Sequence, residues 1–352
     1  MAKPDIHHEN DRDTASDTAS LRLSLLDYAP VDEGQSPTDA FGASLRLAQL
    51  AEQEGFHRYW VSEHHGISAT ASNSPEILMS HVASGTSRIR VGSGGVLLPN
   101  YSSLKIAENY QLLEALFPGR IDLGFGRAPG GDQRVSGALN DEKSSPLPYP
   151  QKVSDLLGFV TGSHPAGSRY SGMKARPETP SPPQPFVLGA SGSTAQIAAE
   201  AGLGFTFAHF INPTRRGADA SKVYREAFRP SHFAQRPQVV VAVFVALGDT
   251  EEEAAAYADA FHLWLTHAES HTQFDRVPSL ETSAAHVWTQ QQLATRAGNE
   301  GRLISGTAEQ VLAQLRALGA AYGTNEVMIN LMMPGEAART NAVKALSAAL
   351  RA

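Results

Sequence analysis

The chain contains no cysteine. That absence removes disulfides, thiolate metal sites and cysteine nucleophiles together. It also has no apolar run near the roughly 20 residues a membrane helix needs, so no membrane span is expected. A basic excess is missing too. The formal net charge is -7, and no basic stripe is available to neutralise phosphates, which argues against a nucleic-acid partner. Residues 1–20 lack the apolar core of a secretory signal and are rich in Asp, Thr, Ser and His. They read as a disordered N-terminal tail on a cytoplasmic protein.

What is present is the composition of a soluble globular protein, and 352 residues suit either two ordinary domains or one α/β barrel with insertions. Strand and helix signals alternate from residue 21 onward. Leu21 to Tyr28 is an apolar strand. Ser36-Pro37-Thr38-Asp39 then supplies an N-cap, a first-turn proline and a carboxylate for a helix that stops at Gly55. Further strands are expected at Tyr59 to Glu63, Ile89 to Gly94, Ile121 to Gly126, Phe186 to Ala190, Gly204 to Ala208, Val239 to Val245 and Glu326 to Met332, with helices between them. Strand, short loop and capped helix in repetition point to a parallel sheet.

Eight such units make a (β/α)8 TIM barrel, one domain over residues 21–352, with insertions after strands 4 and 7. These insertions are the irregular stretches from Arg127 to Pro185 and from His271 to Gly301. The competing architecture, an open doubly wound sheet, needs a glycine-rich nucleotide loop after the first strand, and no G-x-G-x-x-G follows Tyr28.

Every candidate for chemistry falls just after a strand, where a barrel places its active site. Arg127 ends the Ile121-Asp122-Leu123-Gly124-Phe125-Gly126 strand and opens a Gly/Pro loop. Ser191, Gly192, Ser193 and Thr194 offer hydroxyls and backbone amides at a helix start. Together they read as a clamp for an anionic phosphate, against the plainer reading of a surface arginine and ordinary N-capping. Gly189-x-Ser191 also begins like a nucleophile elbow, but position 193 is Ser where that motif needs Gly. Gly94-Gly95 permits either a bulge or close approach of a flat ligand. Glu63-His64-His65 allows three readings: a metal pair, a structural histidine or a proton-handling His64. Adjacent strand side chains point to opposite faces and no third ligand suggests itself, so no metal is assigned.

At these residues the sequence resembles the bacterial luciferase-like flavin monooxygenases, in their single-gene, non-luminescent branch, from Leu21 to Leu350. Trp60-Val61-Ser62-Glu63-His64-His65, Val91-Gly92-Ser93-Gly94-Gly95-Val96-Leu97-Leu98 and Pro118 to Gly130 carry the likeness. The resemblance implies a TIM barrel that binds FMN at the strand C-terminal ends. It implies that reduced FMN and dioxygen, through a peroxyflavin at C4a, oxygenate a small organic substrate. Arg127, Ser191 and Thr194, with the amides of Gly192 and Ser193, would then hold the FMN phosphate. Gly94-Gly95, joined by a cis peptide, would underlie the isoalloxazine, and His64 would be the catalytic proton acceptor. Luciferases carry a reactive cysteine just before the arginine; here that position is Gly126.

The sequence shows no separate nicotinamide site, so a partner flavin reductase is expected, and the resemblance implies a homodimer. Two alternatives follow from sister families. One is an FMN- or deazaflavin-dependent NAD(P)H oxidoreductase. The other is a flavin-binding protein without turnover.

Overall fold

The computed structural model describes residues 20–352 apart from 129, 132, 140–146, 215 and 270–273. The expectation for residues 1–20 therefore lies, Ser20 excepted, outside the described residues.

Ten parallel strands form one sheet: β1 Arg22–Asp27, β2 Arg58–Val61, β3 Arg90–Ser93, β4 Val96–Leu97, β5 Ile121–Gly126, β6 Gln184–Gly189, β7 Gly204–Ala208, β8 Val239–Leu247, β9 Leu303–Gly306 and β10 Glu326–Asn330. Eight of them run β10-β1-β2-β3-β5-β6-β7-β8, and the pairing of β10 with β8 (Val327↔Val241 to Asn330↔Phe244) closes the ring. This is the TIM barrel read from the sequence. Helix Pro37–Gln53 starts as its signals require: Ser36 Oγ accepts from the Asp39 amide at 3.3 Å, and the Asp39 carboxylate accepts from the Ser36 amide at 2.8 Å.

Two strands lie outside the eight expected. β4 pairs with β5 just beyond the Gly94-Gly95 bend, and β9 extends the far end of β8 (Phe244↔Leu303 to Leu247↔Gly306). The insertion after β5 carries helices Gln133–Leu139 and Tyr149–Thr161. The stretch expected to be irregular from 271 to 301 instead holds helices Leu280–Ala285 and Gln290–Gly298. Each is capped by a hydroxyl: Ser279 accepts from the Thr282 amide at 3.1 Å, and Thr289 from that of Gln292 at 3.2 Å.

The barrel interior is layered. Leu26, Trp60, Phe186, Val240, Ala242, Phe244 and Met328 belong to one buried apolar cluster inside it. The Trp60 indole takes space that neighbouring strands leave open: a Cβ on Gly92 would stand 2.5 Å from Trp60 Nε1, and one on Gly124 would stand 1.9 Å from the Ser93 carbonyl oxygen. Glycine is therefore required at both positions.

Below this layer, at the strand starts, the barrel floor is ionic. The Arg58 guanidinium reaches Asp122 at 2.7 Å and Glu326 at 2.7 Å, and Arg90 reaches Asp122 at 2.6 Å. Ser24 Oγ donates to Glu326 at 2.9 Å, and Trp60 Nε1 donates to Asp122 at 2.9 Å. Burial alone would raise the Asp122 and Glu326 carboxyl pKa values, but Arg58 overcomes it and holds both below the ordinary range, with Arg90 adding to the effect at Asp122.

Candidate active site

The opposite end of the barrel gathers the residues singled out from the sequence. Arg127 follows β5 directly and is exposed; its Nη2 lies 3.4 Å from Ser193 Oγ, a long and weak contact. Ser193 belongs to the first turn of helix Gly192–Glu200, whose N-cap is Ser191 in extended conformation. The Ser191 side chain does not cap the helix. Its Oγ instead lies 3.0 Å from Ser193 Oγ and 3.2 Å from Thr194 Oγ1. The first-turn amides therefore receive no side-chain cap, and three hydroxyls cluster beside them within reach of a guanidinium. Thr194 is buried, and Gly192 faces open space.

Tyr149, which the sequence reading passed over, joins this group. It opens helix Tyr149–Thr161, and its hydroxyl is buried without a partner among the described residues. Burial raises its phenol pKa, and the Arg127 charge partly offsets the rise. Lys152 docks the same helix by donating to the Leu98 carbonyl at 3.1 Å.

The Gly94-Gly95 peptide is cis. Both residues are partly exposed at the inner rim. From below, the Gly124 backbone and Leu188 would come within 3.0 Å of a Cβ on Gly95. The pair thus forms a flat surface without side chains.

His64 and His65 part company after β2. His64 Nδ1 lies 2.9 Å from Ser62 Oγ, and its ring packs on Tyr28 with centroids 4.4 Å apart. His65 turns to Glu63, Nε2 to Oε1 at 2.8 Å. Among the described residues no group of three or more His, Asp or Glu is placed to hold a metal ion. Burial first, with the neighbouring His65 adding to it, lowers the His64 pKa to about 4. It is therefore neutral at pH 7 and starts any proton transfer as the acceptor.

Beyond Tyr28 the wall is aromatic. The Tyr28 ring meets Phe244 at 6.0 Å, and Phe244 meets Phe210 at 4.8 Å and Phe261 at 4.7 Å. Phe261, Trp264 and Leu265 come from helix Glu251–Glu269 after β8, at the i, i+3, i+4 spacing of one helical face. That spacing is legible in the sequence. That the face covers a barrel mouth is not. Asn330, the last residue of β10, is 1% exposed and its Nδ2 has no partner among the described residues.

Burial also lowers His57 and His262 to about 4. The folded protein keeps all three histidines neutral down to about pH 4, whereas the unfolded chain takes up protons below its ordinary value near 6.5. The unfolded state thus binds more protons between these limits, so the contribution is complete above pH 6.5 and is lost on acidification toward pH 4. Thermal midpoints taken at pH 7.5, 6 and 5 are expected to fall in that order, reflecting a stability loss by pH 5 on the order of 1 kcal/mol per histidine after solvent screening. A flat profile would contradict these assignments.

The hydroxyls beside Arg127, the bare Gly94-Gly95 peptide and the neutral His64 thus gather at the end of the barrel opposite its ionic floor. Residues 22–325 match the luciferase-like monooxygenase family. The chain belongs to that family and is an oxidoreductase.

It is 43% identical to the Bacillus subtilis (strain 168) protein YceB over 88% of this chain and 93% of that protein. It is 35% identical to the N-acetyl-S-alkylcysteine monooxygenase of the same strain, over 88% of this chain and 92% of that enzyme. Among solved structures, apo-MsnO8 superposes with a TM-score of 0.85 at 33% identity, covering 94% of this chain and 98% of that one. The oxygenating constituent of 3,6-diketocamphane monooxygenase, solved with FMN, shares the fold at 17% identity and a TM-score of 0.64, over 93% of this chain and 96% of that one. An F420-dependent secondary alcohol dehydrogenase does so at 14% and 0.66, over 94% and 99%.

Proposed function

We propose that this protein is an FMN-dependent monooxygenase that uses reduced FMN and dioxygen to oxygenate a small organic substrate. The observation that carries the reading is the two-part clamp: Arg127 stands beside a helix start whose own serine leaves the first turn uncapped. The donor set suits a terminal phosphate. Arg127 supplies charge, Ser191, Ser193 and Thr194 supply hydroxyls, the Gly192 to Thr194 amides supply backbone donors, and the unpartnered Tyr149 hydroxyl is one further donor. Gly94 and Gly95 would let a planar ring lie against the backbone.

Reduced FMN, when bound, supplies the electrons with which dioxygen is activated. The residues of this chain do the rest. His64 accepts a proton at an imidazole nitrogen, oriented by Ser62. Tyr28, Phe244 and Trp264 keep water from the reacting centre. In this reading a separate flavin reductase delivers reduced FMN to a cytoplasmic homodimer.

Competition binding tests the cofactor: FMN is expected to displace F420, and the reverse order would overturn the proposal in favour of a deazaflavin oxidoreductase. Chemistry is tested with labelled dioxygen and an N-acetyl-S-alkylcysteine, the substrate class named for the 35% identical relative. His64→Ala is expected to lower label incorporation by about 10²- to 10⁴-fold while FMN affinity stays within about twofold. Unchanged incorporation would remove His64 from the mechanism.

A further inference from the structure

Glu63 and His65 belong to the Glu-His-His stretch, yet the proposed chemistry uses only the histidine between them. Their contacts assign them other work. The Glu63 carboxylate, 3% exposed, receives three donors: Tyr101 Oη at 2.7 Å, His65 Nε2 at 2.8 Å and the Leu97 amide at 2.9 Å. These come from three segments around the rim: the end of β2, β4 and the turn that follows it. A fourth segment is then added through His65 itself. Its backbone amide donates to the Gly130 carbonyl at 2.9 Å, in the loop that starts with Arg127.

The fit there is close. A Cβ on Gly130, which has φ +75, would meet Leu97 Cδ1 at 1.8 Å and His65 Cδ2 at 3.5 Å, and one on Gly131 would meet the His65 carbonyl oxygen at 3.1 Å. Gly130 is thus seated between the His65 ring and Leu97, and both of those groups are held by Glu63.

We infer that His65 is a positioning residue: fixed by Glu63, it seats the Gly130 loop and so holds Arg127 where the clamp needs it. This rests on the clamp reading above. In this reading the imidazole acts through the loop whose first residue, Arg127, would meet the phosphate. Replacing it with leucine leaves Glu63 with two donors instead of three; the main-chain bond from residue 65 to Gly130 persists, but residue 65 is no longer pinned to Glu63, so the loop it carries presents the charge of Arg127 less uniformly. Glutamine keeps a side-chain N–H donor for the Glu63 carboxylate.

The test compares FMN with riboflavin, which has the same ring and no phosphate, by fluorescence titration of the full-length protein. Wild type is expected to prefer FMN. His65→Leu is expected to reduce that preference about tenfold, or about 1.4 kcal/mol, with riboflavin affinity within about twofold. His65→Gln is expected to restore most of the preference. An undiminished preference in His65→Leu overturns the inference and leaves the clamp standing. Equal loss of both ligands also overturns it, because the ring would then serve the fold in general. No preference in wild type would remove the clamp reading and this inference with it.

Discussion

Arg127→Met is expected to weaken FMN binding about a hundredfold while the thermal midpoint moves by no more than about a degree. The asymmetry follows from where the side chain spends its hydrogen bonds. Arg127 is exposed and among the described residues makes one long contact, 3.4 Å, to Ser193, so the ligand-free fold loses little. A phosphate in the clamp would receive charge-assisted bonds worth about 1.5–3 kcal/mol each. Losing a bidentate pair from a site that keeps its hydroxyls and helix amides then amounts to about 3 kcal/mol, or two orders of magnitude. Riboflavin should bind both proteins alike, which makes it the control in the same titration. If Arg127→Met binds FMN as tightly as wild type, the phosphate lies elsewhere and the clamp must be reassigned.

The largest expected loss of stability comes from the other end of the barrel. Arg58→Met preserves bulk but leaves Asp122 and Glu326 in the floor without the guanidinium that bridges them at 2.7 Å on each side. Asp122 keeps Arg90 and the Trp60 indole; Glu326 keeps Ser24 and, each 3.9 Å away, Arg22 and His57. Removing one partner from a buried ion cluster destabilises by about 3–5 kcal/mol, because the carboxylates left behind are dehydrated and have lost the counter-charge they shared. Denaturant unfolding should show a loss of that size, with the m-value unchanged. A loss below about 1 kcal/mol would mean that water reaches the floor.

Legibility in the sequence divided along the same line. Arg127, His64, Gly94-Gly95 and Ser191 to Thr194 each sit at a strand end or a helix start, and such ends are announced locally by glycine, proline and capping residues. The barrel followed from the same punctuation. The ionic floor gave no such signal. Arg58 meets Asp122 across 64 positions and Glu326 across 268, and each, taken alone, looks like a charge at the solvent end of a strand. Tyr149 escaped notice because a tyrosine in the first turn of a helix reads as packing, and only its buried hydroxyl, without a partner among the described residues, marks it out. β9 was missed because four residues, Leu303–Gly306, carry too little alternation to register. The helices at 280–285 and 290–298 were missed despite their Ser279 and Thr289 caps, since the surrounding polar sequence has no apolar stripe to extend them.

The floor has a consequence for how the barrel assembles. One guanidinium joins the second strand to the fifth and to the last. Until β10 docks, Glu326 is absent, and the space beneath Trp60 remains open to water that solvates Arg58 and Asp122. Dehydration of the floor and closure of the ring are therefore a single event. A half-built barrel has no dry interior of its own, so the eight strands should gain and lose protection from hydrogen exchange as one cooperative unit.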